Sequence, residues 1–154
     1  MGSEMCIRDR SAAIEKVAVI GAGTMGAGIA GLCAAVGCEV VLLDVKKEIA
    51  QKGIDRLCGG KRPVITAEQA QQITAGSLDS DISLIAESDW ICEAVVENLQ
   101  IKRDLFSTLE EIRKDGSIIT TNTSGIPLRD IYQEMPERLP VSYTHLTLPT
   151  ILLV

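Results

Sequence analysis

The chain has 154 residues, enough for one domain with a real core. Hydrophobic residues make up 46% and charged residues 23%, a globular composition without disordered bias. The net charge of −6 disfavours nucleic acid as a partner, and the longest apolar runs, Val40–Leu43 and Ile91–Val96, are far too short to span a membrane.

The first ten residues, MGSEMCIRDR, lack the positive-then-apolar layout of a signal peptide. They share a peculiarity with the other end of the chain. Met5–Asp9 can be written ATG TGT ATA AGA GAC, whose reverse complement translates as Val-Ser-Tyr-Thr-His, the sequence of Val141–His145. Unrelated segments are rarely encodable as reverse complements over five codons. Both ends resemble translated adapter from transposase-based sequencing libraries. The expectation is that residues 1–10 and 141–154 are adapter-derived and that 11–140 is one truncated domain.

Lys16–Ile20 (KVAVI) is a short apolar, β-branched run ending at glycine, which predicts a buried strand. The glycine-rich stretch Gly21–Gly28 follows directly. Ile29–Val36 is small and apolar, a helix able to lie close to a sheet, and Gly37 predicts its stop. Glu39–Leu43 is a second strand with Asp44 at its end. Residues 46–75 are polar and mostly helical, interrupted at Cys58–Pro63. Thr66 and Gln69 fit a capping box opening a second helix, and Ile73-Thr74 fits a short strand. Ser88–Val96 predicts another strand, and Leu99–Arg113 a helix with Ile101, Leu105, Leu109 and Ile112 on its apolar face. Gly116–Thr120 is a further strand, leading into Thr121–Ser124. Strands alternating with helices imply an α/β fold, a Rossmann-type doubly wound parallel sheet.

Gly21, Gly23 and Gly26 form G-x-G-x-x-G between a strand and a helix. In such a turn the first glycine permits the tight bend, the second lets a pyrophosphate approach the backbone, and the third lets the helix lie close to the strand. The helix N-terminus supplies free N–H groups and partial positive charge, with Thr24 and Met25 in its first turn. Asp44 lies 18 residues past Gly26. A carboxylate there can accept both adenosine-ribose hydroxyls and repel a 2′-phosphate, so NAD is favoured over NADP. Lys46 and Lys47 temper that preference slightly.

KVAVIGAGTMGAGIA, EAVVENLQIKRDLF and IITTNTSGIP, in this order and spacing, resemble three signatures of the 3-hydroxyacyl-CoA dehydrogenase NAD-binding domain. The stretch from Ile73 to Asn98 is similar to the bacterial branch fused to an enoyl-CoA hydratase. The resemblance implies that Met25, Val95, Val96, Glu97, Lys102 and Asn122 line the cofactor. It also implies that Ser124 meets the substrate's 3-oxygen, giving it the catalytic role. The simpler readings are a solvated acid at 97, a surface lysine at 102 and a polar helix cap at 121–124. Trp90 fits the core better than a stacking site.

The family's general base is a histidine followed by two aromatics, Asn and Pro. His145, 21 residues after Ser124, lacks that context and falls in the adapter-like stretch. The implied parent enzyme oxidises (3S)-hydroxyacyl-CoA to 3-oxoacyl-CoA in fatty-acid β-oxidation with NAD, and the truncated chain is expected to be inactive. Its partners are then an acyl-CoA and, through an absent C-terminal domain, further copies of itself. A 3-hydroxyacid dehydrogenase of the 6-phosphogluconate type is a rival, although it is not expected to carry V-V-E-N and N-T-S together. A non-catalytic dinucleotide-binding module is another. Five cysteines without a C-x-x-C pair and a single histidine disfavour a metal site. Cys33 and Cys92 in apolar runs read as buried free thiols suited to a reducing cytoplasm.

Overall fold

The computed structural model describes residues 13–59 and 61–133. Five strands, β1 (Lys16–Ile20), β2 (Glu39–Asp44), β3 (Ile73–Ser77), β4 (Trp90–Glu93) and β5 (Ile118–Thr121), form one sheet in the order β3-β2-β1-β4-β5. Every pairing is parallel. The register brings the carboxyl ends of the strands level: Ile20 pairs with Leu43 and with Glu93, and Glu93 pairs with Thr121. The order reverses between β1 and β4, the switch point outside whose strand ends open parallel sheets bind ligands.

Side chains alternate across β1, and each face has its own core. Val17 and Val19 join Leu42, Ala27, Ala30, Ile54 and Leu57 beneath helices α1 (Thr24–Ala35) and α2 (Lys47–Cys58). Ala18 and Ile20 join Leu43, Ile85, Phe106, Leu109 and Ile131 beneath α5 (Leu99–Ile112) and α6 (Leu128–Tyr132). Each fully buried Val, Leu, Ile or Phe of these layers contributes about 1.5–3 kcal/mol. Between them α3 (Ala67–Ala70) is a single turn, and α4 (Leu78–Asp81) runs into a 3-10 segment, Ile82–Glu87.

Several boundaries follow from local chemistry. Gly37 has φ +93° just past α1, a conformation that stops a helix at little cost to glycine. Thr66 and Gln69 make the expected reciprocal capping box, but it opens one turn only. β3 is longer than expected because Ala75 and Gly76, weak strand signals by themselves, pair with Leu42 and Leu43. Leu105, Leu109 and Ile112 of the expected α5 face pack on the core, and Ile101 does not. Lys102, Phe106 and Leu109 are buried, whereas Ile101 is 47% exposed. Asp89 pins the amino edge of the sheet, accepting from the backbone N–H groups of Glu15 and Lys16 and pairing with Lys114 Nζ at 2.6 Å.

Trp90 is half-buried against the α1–α2 layer, its indole N–H donating to Thr120 Oγ1 at 2.9 Å. Cys33 and Cys92 are buried free thiols. Burial, with Cys38 and Cys92 nearby, pushes the Cys33 thiol up to about 11.

Candidate dinucleotide site

The chain leaves β1 through Gly21, whose φ is +102° and whose N–H donates to Leu43 O at 2.7 Å. A Cβ on Gly21 would lie 2.4 Å from Ala94 O, and one on Gly26 would lie 1.7 Å from Gly21 O. Both positions therefore exclude any larger residue. Gly23 differs: a Cβ there would meet nothing within 4 Å. Its glycine opens space above the turn, where a phosphate must come close to the backbone. Helix α1 starts at this point with no side-chain cap and no acid in its first turn. Its first N–H groups are thus not taken by a side-chain cap or a first-turn acid. Thr24 and Met25 are exposed there, Met25 at 55%.

Asp44, half-buried at the end of β2, is tied into the same turn. Its Oδ2 accepts from Ala22 N–H at 2.6 Å and its Oδ1 from Val45 N–H at 2.7 Å. A carboxylate has about four acceptor positions, so both oxygens can still take ribose hydroxyls. On the far side of Ala22, Arg56 Nη2 donates to the Ala22 carbonyl at 2.7 Å. The structure gives Arg56 this place on α2. An exposed arginine in a polar helix carries no sequence signal for it.

The loops after β4 and β5 form the other half of the edge. Ala94 N–H donates to Ile20 O, and Ala94 packs beneath Gly21 and Gly26. Val95 is half-buried and Val96 is 67% exposed. Glu97 reaches across to the β5 loop, accepting from Thr123 Oγ1 at 2.7 Å and from Ser124 N–H at 2.9 Å. These bonds, the Ser124 amide foremost, hold its carboxyl below the usual range. Glu97 is thus exposed, as a solvated acid would be, and also bridges the two loops. Asn122 is half-buried and its N–H donates to Glu93 O at 2.7 Å, while Ser124 is exposed. Ser124 is not the cap of α6: that helix is capped at Pro127, and Thr123 Oγ1 accepts from Ile126 N–H.

Lys102 does not project from the surface. Its Nζ is fully buried and pairs at 2.7 Å with Glu93 Oε1, whose side chain is equally buried. Glu93 is the residue that sequence reasoning missed. In the apolar run of β4 it reads as an interruption, and its one signal is a lysine nine residues on. Among the described residues no cluster of three His, Cys, Asp or Glu side chains could hold a metal ion.

An uncapped helix start beneath an open glycine turn, with an acid at the second strand's end, defines a nicotinamide-dinucleotide-binding domain of the Rossmann class. The donor set fits NAD: N–H groups for the pyrophosphate and a carboxylate for the ribose. Comparison with known proteins makes the assignment particular. The family model for the 3-hydroxyacyl-CoA dehydrogenase NAD-binding domain matches residues 16–153, and the chain belongs to that family. It is 37% identical to a probable 3-hydroxyacyl-CoA dehydrogenase of Bacillus subtilis, over 77% of this chain and 18% of that protein. It is also 37% identical to the 3-hydroxyadipyl-CoA dehydrogenase of Escherichia coli, over 82% of this chain and 28% of that protein. The crystal structure of 3-hydroxybutyryl-CoA dehydrogenase from E. coli superimposes with a TM-score of 0.66 at 36% identity, covering 80% of this chain and 27% of that one. The chain thus spans less than a third of the length of these three relatives.

Proposed function

We propose that this chain is the NAD-binding part of an enzyme that oxidises (3S)-hydroxyacyl-CoA to 3-oxoacyl-CoA in fatty-acid β-oxidation. The observation that carries the reading is the convergence at one sheet edge of the open turn at Gly23, Asp44 bonded into that turn, and Glu97 bonded to Ser124. NAD, when bound, supplies the hydride acceptor. The chain's own groups bind and orient. Gly21, Gly23, Thr24, Met25 and Gly26 offer the helix start to the pyrophosphate, and Asp44 takes the adenosine ribose. Val95, Val96 and Asn122 border the nicotinamide end. Glu97 holds the Ser124 loop, so that the exposed Ser124 is presented to the substrate's 3-oxygen. Lys102 contributes from beneath.

The base that takes the hydroxyl proton belongs to the part of the enzyme beyond this domain. His145 lies outside the described residues. We read residues 1–10 and 141–154 as adapter-derived, on the codon complementarity of the two ends, although the family match continues to residue 153. The whole enzyme is read as a cytoplasmic homo-oligomer that takes an acyl-CoA and no nucleic acid. Among the described residues no helix is long and apolar enough to cross a membrane.

The test has two arms. The 154-residue chain should bind NADH in a fluorescence titration yet show no NADH formation from 3-hydroxybutyryl-CoA and NAD. Absence of NADH binding would sink the cofactor reading. Turnover by this chain, lost on His145→Ala, would instead make His145 the base and end the adapter reading.

A further inference from the structure

We propose that Glu93 is a positioning residue of the cofactor crevice, acting through Lys102, Val95 and Thr121. The inference rests on the reading above that residues 94–97 and 122–124 face the dinucleotide. Glu93 is completely buried at the carboxyl end of β4, directly below both loops. Its Oε1 accepts from Lys102 Nζ at 2.7 Å and from Val95 N–H at 2.7 Å, and its Oε2 accepts from the Thr121 hydroxyl. Lys102 Nζ also reaches Val95 O at 3.4 Å, and the Glu93 carbonyl takes the Asn122 N–H. One carboxylate therefore ties together the end of β4, the first turns of α5 and the end of β5. Each tie lies within three residues of a group read as touching cofactor or substrate: Val95 beside Val96 and Glu97, and Thr121 before Asn122 and Ser124.

Stability alone does not account for an ion pair here. Two desolvated charges gain little over well-packed apolar side chains of similar volume, while one charge left alone in the interior is expensive. What the pair supplies is direction and charge balance. Five hydrogen bonds with fixed geometry hold these two loops, alongside the Glu97 bridge. The paired charges also leave the crevice floor neutral, and that neutrality has a measurable consequence. The nicotinamide ring of NAD is positively charged, whereas that of NADH is neutral. An unbalanced charge beneath the ring must separate the two affinities.

The experiment measures dissociation constants for NAD and NADH with the 154-residue chain at about pH 6 and again at about pH 9, because low pH favours the charged form of an unpaired buried lysine and high pH that of an unpaired buried carboxylate. Glu93→Gln should weaken NAD relative to NADH by about fivefold. Lys102→Met should shift the ratio the other way at the higher pH. The double variant, which leaves no charge unpaired, should restore the ratio while binding both forms more weakly than the original chain. Far-UV circular dichroism checks folding, and the double and Lys102→Met variants carry the test if Glu93→Gln does not fold. A folded set of variants whose NAD/NADH ratio does not move would overturn the role of Glu93 and leave the cofactor reading intact. No binding of either form by the unmodified chain would fell both.

Discussion

Replacing Asp44 with asparagine separates the backbone bonds its carboxylate makes from the ribose contact proposed for it. The change keeps the shape of the side chain but removes the charge and one acceptor oxygen. Ala22 and Val45 each donate a backbone N–H to a different Asp44 oxygen, at 2.6 and 2.7 Å. An amide can serve one of them. If its oxygen stays on the buried Ala22, its NH2 group confronts the N–H of Val45, which is exposed and can turn to water. An orphaned N–H in the interior costs about 1–3 kcal/mol, and water relief places this case near about 1 kcal/mol. Cofactor choice should change more. One charge pair at about 4 Å and an effective dielectric near 20 amounts to about 4 kcal/mol. Because Asp44 is only half-buried, solvent and salt reduce the repulsion of a 2′-phosphate to about 1–2 kcal/mol. That is roughly a tenfold preference for NADH over NADPH in the unmodified chain. Asp44→Asn should abolish most of it with a small loss in urea midpoint. Parallel fluorescence titrations with NADH and NADPH measure the ratio. Equal affinities in the unmodified chain, or an unchanged ratio in a folded Asp44→Asn variant, would refute the ribose assignment.

Two further outcomes test the scaffold. Gly26→Ala places a methyl 1.7 Å from the Gly21 carbonyl oxygen, which has no flexible group to yield, so unfolding free energy should fall by about 3 kcal/mol or more in urea titration. Asp89 is held at about 2, below its ordinary 3.8, first by the Lys114 hydrogen bond and then by the Lys16 amide. A lowered folded value means that its contribution is complete above about pH 4 and disappears as the pH falls through about 2. Urea midpoints of the unmodified chain and Asp89→Asn should therefore differ at neutral pH and converge in acid, and parallel curves would contradict the assignment.

The alternation of apolar strands and helices, the glycine turn and Asp44 were legible because each carries a local signal. KVAVI is β-branched and short, the glycines have a fixed spacing, and Gly37 follows the small-residue helix it ends. Glu93 and Lys102 were not legible as a pair, since burial is a tertiary property and an acid in an apolar run resembles a break. One residue of the α5 face, Ile101, was misjudged for the same reason. Lys102 turns inward to meet Glu93 and carries Phe106 with it, leaving Ile101 in solvent. The Glu97 bridge was hidden as well, because it joins two loops that meet only once β4 and β5 have paired.

That meeting has a kinetic side. β1 pairs with β2 through a short crossover, but its other neighbour, β4, is far along the chain: the Lys16–Asp89 contact spans 73 residues. Closing the longer loop costs entropy before any contact repays it, so pairing of this kind is slow. Gly21 sits against the Ala94 carbonyl at the end of β4, and the phosphate cradle takes its final shape only when that strand docks. Loop-closure entropy thus places completion of the cradle after the local β1–α1–β2 unit, which already carries the glycine turn and Asp44. Once docked, the nucleotide binds the completed sheet and not the open chain. It deepens the native state without hastening arrival there, and slower unfolding is the form its stabilisation takes.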